Sequence, residues 1–194
     1  MAADRPRRAD ARRNRDALLT AAGRLFAERG VDVPLDDVAR HAGVGNATMY
    51  RHFPTRQDLI IAVFADEVTE LCDRGETLRA TAAPGDALHE WLRAFVEHVA
   101  TKRDLALAIP REGREGLFGE WHESMLTTAA ALLSRAQEAG DVRSDLTARD
   151  LLTLANAVAL AAGGAAQSVR LLDLLRHGTT GERHGTTGER HEPL

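Results

Sequence analysis

The chain has 194 residues, and its hydrophobic fraction of 44% excludes a chain too polar to fold, although with only 4% aromatic residues leucine, valine and alanine must fill most of the core. A single cysteine, Cys72, excludes an intramolecular disulfide and any multi-cysteine zinc or iron–sulfur cage, and suits a reducing cytoplasm. The net charge of −4 conceals an asymmetry: through Arg56 there are 11 basic and 7 acidic residues, a balance of +4, and beyond it 14 and 22, a balance of −8, so the first third can attract a polyanion that the rest repels.

The arginine-rich start, MAADRPRRADARRNRD, never becomes apolar, which argues against a secretory signal. Residues 1–10 read as a flexible basic arm. From about Arg8 to Arg29 the spacing of Ala11, Leu18, Ala22, Leu25 and Phe26 predicts an amphipathic helix, with Gly30 placed to end it. A short link leads to a second helix at Leu35–Ala42, whose Asp36 and Asp37 suit the positive end of the helix dipole. Gly43 closes it, and a third helix begins at Gly45 or Asn46 and runs to about Phe53. Thr55 and Asp58 have the spacing of a capping box for a long helix from Arg56 to Leu78.

The TAAPGD run then breaks the chain, and Asp86 is suited to cap a helix carrying Trp91 and Phe95. A short helix follows and ends at Ile109, because Pro110 disfavours helix at the residue before it. The glycines of REGREGLFGEW read as a loop or irregular connection, with helix resuming from Trp121 to Ala139. Thr147 and Asp150 form a second capping-box pattern for a helix to Ala162, and Gly163 and Gly164 separate it from a last helix at Ala165–Arg176. The uncharged run Leu151–Val169 is broken by polar residues and glycines, so it reads as a buried or interface helix and not as a membrane span. The heptapeptide HGTTGER occurs at His177–Arg183 and again at His184–Arg190, offers little to bury, and makes residues 177–194 a disordered tail. No stretch reads as a strand, so the expected fold is all-α with about nine helices.

The strongest local signal is LDDVARHAGVGNATMYRHF at Leu35–Phe53: two short helices around a GVG turn are the elements of a helix-turn-helix, whose second helix can enter a DNA major groove. This segment resembles the DNA-binding domain of the TetR family of transcriptional regulators. The resemblance is carried by Asp36 to Val44, which match the family's D-x-x-A-x-x-A-G-V turn region, and by Thr48 to Phe53, which match its T-x-Y-x-H-F recognition helix. It implies a helix-turn-helix domain over residues 11–56 and a regulatory and dimerisation domain over 57–176. Gly45 and Asn46 depart from the serine and basic residue that many relatives carry at the start of the recognition helix.

The resemblance points to Asn46, Thr48, Tyr50, Arg51, His52 and Arg56 as DNA-contacting residues. Asn46 is equally suited to reading an adenine edge and to capping the helix. Thr48 and Tyr50 suit phosphates or thymine methyls, Arg51 and His52 backbone or bases, and Arg56 with Gln57 backbone; His52 is also suited to packing. Arg7, Arg8, Arg12, Arg13 and Arg15 would add salt-dependent attraction, or serve solubility alone.

By the same resemblance, the last two helices form a homodimer face through Leu152, Ala155, Ala159, Ala162, Leu171, Leu172 and Leu175, with an intramolecular core seam as the other reading. Trp91, Phe95, His98, Trp121, His122 and Met125 are candidates to line a pocket for a small effector, or, in the case of Trp91 and Phe95, to pack the core. The expected partners are double-stranded DNA with an inverted-repeat operator, a second copy of the chain and a small-molecule effector. Neither a compact metal motif, a nucleophilic constellation nor a phosphate-binding glycine loop is present, so no catalysis, metal or cofactor is expected. A helical protein-interaction module without DNA binding is the alternative reading, and in either case a cytoplasmic setting without membrane contact is expected.

Overall fold

Positive-φ glycines and two well-formed caps set the main boundaries of the chain. The computed structural model describes residues 4–109 and 114–180. Among the described residues there are nine helices: α1 (Asp4–Arg29), α2 (Leu35–His41), α3 (Asn46–His52), α4 (Arg56–Thr81), α5 (Pro84–Thr101), α6 (Arg103–Ala108), α7 (Arg114–Glu138), α8 (Ala148–Ala161) and α9 (Ala165–Thr179). No described helix is long and apolar enough to cross a membrane.

Both expected capping boxes form. Thr55 Oγ1 accepts from the Asp58 amide at 3.1 Å while Asp58 Oδ2 accepts from the Thr55 amide at 3.0 Å, and Thr147 and Asp150 repeat the arrangement at 3.2 and 3.1 Å. Each box satisfies two amides that a helix start would leave unpaired.

Four boundaries differ from the sequence reading. Backbone helix reaches back to Asp4, so residues 4–10, expected as a flexible arm, continue α1, and an Asp10–Arg13 ion pair one turn apart supports this extension. The α5 start falls at Pro84 and not at an Asp86 cap, because proline's fixed φ suits a first helical position where no amide partner is needed. Helix α7 begins at Arg114, seven residues before Trp121: the local cost of Gly116 and Gly119 is outweighed as Phe118 stacks on Phe64, with centroids 5.6 Å apart. At the other end α9 runs to Thr179, and Thr180 pairs with Val142, with the Arg143 amide donating to the Thr179 carbonyl at 3.0 Å. Residues 177–180 are therefore ordered against the α7–α8 connection, whereas the rest of the expected tail, 181–194, lies outside the described residues.

Two apolar cores result. One gathers Leu18, Leu25, Val38, Met49 and Phe53 with Leu59 to Val68 of α4 and Leu105 and Ile109 at the α6 end. The other joins Leu71 and Leu78 of α4 to Trp91, Phe95, Leu132, Leu151 and Leu172. Helix α4 thus belongs to both, and the boundary expected at residue 57 is one along the chain and not one between cores. Where α4 crosses α5 and α7, Gly75 is required: a Cβ there would collide with the Thr128 methyl and press on the Trp91 indole nitrogen. That indole is wholly buried and donates to the Leu71 carbonyl at 2.9 Å, tying α5 to α4.

Candidate nucleic-acid interface and ligand cavity

The turn between α2 and α3 needs Gly43, whose φ of 67° lies in the left-handed region that side chains disfavour. It reverses the chain so that the Val44 amide reaches the Ala39 carbonyl at 2.9 Å. Gly45, in extended conformation, then opens α3 and accepts at its carbonyl from Thr48 and Met49 at 2.9 and 3.0 Å. Asn46 is therefore the first residue inside the helix, and its side chain does no capping.

In α3 only Met49 is fully enclosed, and it anchors the helix on the core with Phe53 just beyond its end. Asn46, Ala47, Tyr50 and Arg51 face solvent, while Thr48 and His52 are half-buried. Tyr50 is 45% exposed, and its hydroxyl donates to Asp36 Oδ1 on α2 at 3.3 Å, a long bond at the weak end of hydrogen-bond geometry. His52 is tilted against Phe53 with centroids 6.3 Å apart, and the Arg15 guanidinium stands 6.0 Å above the same phenyl ring, which joins the α1 arginines to the end of α3. Arg12, Arg13 and Arg15 are exposed, whereas the side chains of Arg7 and Arg8 lie outside the described residues.

Arg56 has a different place from the one the sequence suggested. Its Nη1 donates to the Val31 carbonyl at 2.7 Å and to the Val33 carbonyl at 2.6 Å, so it clamps the α1–α2 link to the start of α4. Charge-assisted bonds to carbonyls in a half-buried position make it a structural residue of the domain. Gln57, beside it, is exposed.

Five of the six pocket candidates meet around one cavity of about 250 Å³: Phe95 and His98 from α5, and Trp121, His122 and Met125 from α7. Trp91 is the exception, since it is sealed in the core below. Sequence reasoning missed Phe118, hidden in the supposed loop, and Phe64, which read only as an apolar position of α4. Phe64, Phe118 and Trp121 make an aromatic wall with centroid separations of 4.7 to 5.6 Å. Lys102 also lines the cavity and is ion-paired with Glu67. His98 is held below the usual imidazole range by burial, with Glu67 opposing that shift and Lys102 adding to it. Among the described residues, no group of three His, Cys, Asp or Glu side chains is placed to hold a metal ion.

Residues 18–63 match the family described as "Bacterial regulatory proteins, tetR family", and residues 83–180 match "Transcriptional regulator SbtR-like, C-terminal domain". The chain belongs to the TetR family of transcriptional regulators. Its structure is similar to that of the TetR transcriptional regulator SCO0520 from Streptomyces coelicolor, at 37% identity and a TM-score of 0.78 over 87% of this chain and 99% of that one. It is likewise similar to a TetR transcription regulatory protein from Mycobacterium vanbaalenii, at 36% identity and a TM-score of 0.76 over 89% and 98%. Among curated proteins it is 26% identical over 153 residues to the HTH-type transcriptional regulator EthR of Mycolicibacterium smegmatis, spanning 72% of this chain and 68% of that protein. Membership makes this chain a DNA-binding transcriptional regulator, with α2 and α3 as its helix-turn-helix.

In this TetR-family chain, four of the seven residues expected at a dimer face are consumed by its own core. Leu152, Ala155, Ala159 and Leu172 are buried against α5 and α7, because the apolar stripes of α8 and α9 first have to cover the bundle. Leu171, Leu175 and Ala162 are half-buried. The large apolar side chains that α8 and α9 leave in solvent are instead Leu154 at 44%, Leu160, which also lines the cavity, at 52% and Leu174 at 62% exposure.

Proposed function

We propose that the protein is a homodimeric repressor that occupies an inverted-repeat operator through paired α3 helices and leaves it when a small-molecule effector enters the cavity. The observation that carries this reading is the outward face of α3: Asn46, Tyr50 and Arg51 stand clear of the core, with Thr48 half-buried beside them, on a helix too short to read an operator alone. Two such helices related by a twofold axis fit successive major grooves when their centres lie about 34 to 36 Å apart. Asn46, at the helix start with its amide uncommitted, is suited to an adenine edge, and Arg51 to a guanine edge or a phosphate. His52 and Arg56 support the helix from behind, and the exposed α1 arginines add nonspecific attraction.

The second chain would rest on Leu154, Leu160 and Leu174, large apolar groups that a solitary chain leaves in water. Release follows if the effector binds the operator-incompetent spacing more tightly than the competent one. The cavity suits that coupling because Phe64 belongs to the DNA-domain core while Phe118, Trp121 and Ala106 pack on it, so a ligand wedged among them presses on the base of that domain.

The test is selection from a randomised duplex pool by the full-length protein, repeated at rising salt. Enrichment of an inverted repeat bound by two chains is expected. Failure of a folded, ligand-free protein to enrich any duplex would overturn the reading and favour a helical interaction module.

A further inference from the structure

The chemistry of the cavity is narrower than that of a general apolar hole. Its wall is aromatic on the α4 and α7 sides, with Phe64 and Trp121 centroids only 4.7 Å apart and Phe118 completing the cluster at 5.4 and 5.6 Å. Flat rings offered to a ligand at these separations favour another flat ring, which gains offset or edge contact that an alkyl chain does not.

Charge is already balanced inside. Lys102 is the one formally charged side chain in the lining, and its ammonium is bound by Glu67, both groups being mostly buried with 21% and 23% of their side chains exposed. An anionic ligand would have to break that pair and strand Glu67, and a cationic ligand would meet an ammonium with no free carboxylate. Of the uncharged polar side chains in the lining, His98, His122 and Asn156, His98 is the buried one. It is 9% exposed, lies edge-on to Phe64 at 5.5 Å, lines the cavity, and its ring makes no hydrogen bond among the described residues. Among the described residues no side-chain nitrogen or oxygen sealed from solvent lacks a partner, so the His98 ring nitrogens reach the cavity, where a ligand group can take them up.

We propose that the cavity binds an uncharged aromatic molecule of one or two fused rings, packed against the cluster of Phe64, Phe118 and Trp121 and anchored by a hydroxyl or carbonyl hydrogen-bonded to His98. The volume of about 250 Å³ accommodates a ligand of that size without opening the bundle. This deepens the effector reading above, and it concerns the same cavity.

The experiment is calorimetric titration of the full-length protein at neutral pH with four probes built on one ring system: 2-naphthol, naphthalene, 2-naphthoate and 2-naphthylmethylammonium. The expected order places 2-naphthol about tenfold tighter than naphthalene, for the hydrogen bond, and at least about tenfold tighter than either ion, for the unbroken Lys102–Glu67 pair. In His98→Phe the preference of 2-naphthol over naphthalene should vanish; if that variant does not fold, His98→Gln should keep part of it, and the comparison of the four probes on the unaltered protein decides in any case. Naphthoate binding as tightly as naphthol would overturn the proposal, as would the absence of binding by every probe. Probe binding that leaves operator affinity unchanged would instead sink the effector reading while the ligand class stands.

Discussion

The recognition helix and the two C-terminal helices face opposite packing demands. Helix α3 has seven residues and encloses one of them, Met49, so nearly every polar group it carries is available to another molecule. Helices α8 and α9 bury Leu151, Leu152, Ala155, Ala159 and Leu172 within their own chain and still leave Leu154, Leu160 and Leu174 in water. On α3, exposure of polar side chains marks a surface for a polar partner. On α8 and α9, apolar side chains serve two purposes, and only those left over after the core is filled can serve a second chain. The two surfaces are linked by α4, which starts in the core beneath α3 and ends in the core beneath α8.

The largest expected effect comes from cutting the regulatory core away while sparing α3. Trp91→Ala removes a wholly buried ring and its bond to the Leu71 carbonyl, and urea unfolding should register a loss of about 3–5 kcal/mol. If the two cores are energetically separate, the transition should become two-phased. A single shifted transition would mean that α4 makes them one cooperative unit.

A charge on each leftover leucine addresses the other half of the contrast. Leu154→Glu combined with Leu174→Glu should yield a folded monomer in sedimentation velocity, and lost pairing should weaken operator binding by about thirtyfold or more. A variant that remains dimeric would show that those residues are not at the interface and would return the four core residues to consideration.

Two arginines test whether position relative to α3 separates reading from scaffolding. Arg56→Ala should lower stability by about 1–3 kcal/mol through the loss of its two carbonyl bonds, with little change in the salt slope of DNA binding. Arg51→Ala should leave stability in place and reduce that slope by about 1 if it meets a phosphate. Exchange of the two phenotypes would reverse the assignment.

The smallest effect concerns pH. Burial lowers the affinity of His89 and His98 for protons relative to the unfolded chain. Unfolded histidines therefore take up protons first, so this contribution to stability is present above about pH 6.5 and is lost as pH falls below it. Urea midpoints followed from pH 7.5 to 5.5 should drop, and His98→Gln should flatten part of that drop. Comparable loss in the variant would leave His89 as the main sensor.

Much of the architecture was legible in the sequence because its signals are local. Gly43 specifies a left-handed turn, the Thr55–Asp58 and Thr147–Asp150 pairs satisfy helix amides three residues away, and the spacing from Leu35 to Phe53 alternates core anchors with solvent-facing groups. Those features fixed the helix-turn-helix and the two best caps. Tertiary structure decided what depends on distant neighbours: that Phe118 overrides its flanking glycines by stacking on Phe64, that Arg56 turns to the Val31 and Val33 carbonyls, and that Trp91 is sealed under Leu71 and not open to a ligand. It also decided which leucines of α8 and α9 remain outside. A periodic pattern records that a helix has an apolar face, but burial depends on which other helices reach that face first, and this is settled only when the bundle closes.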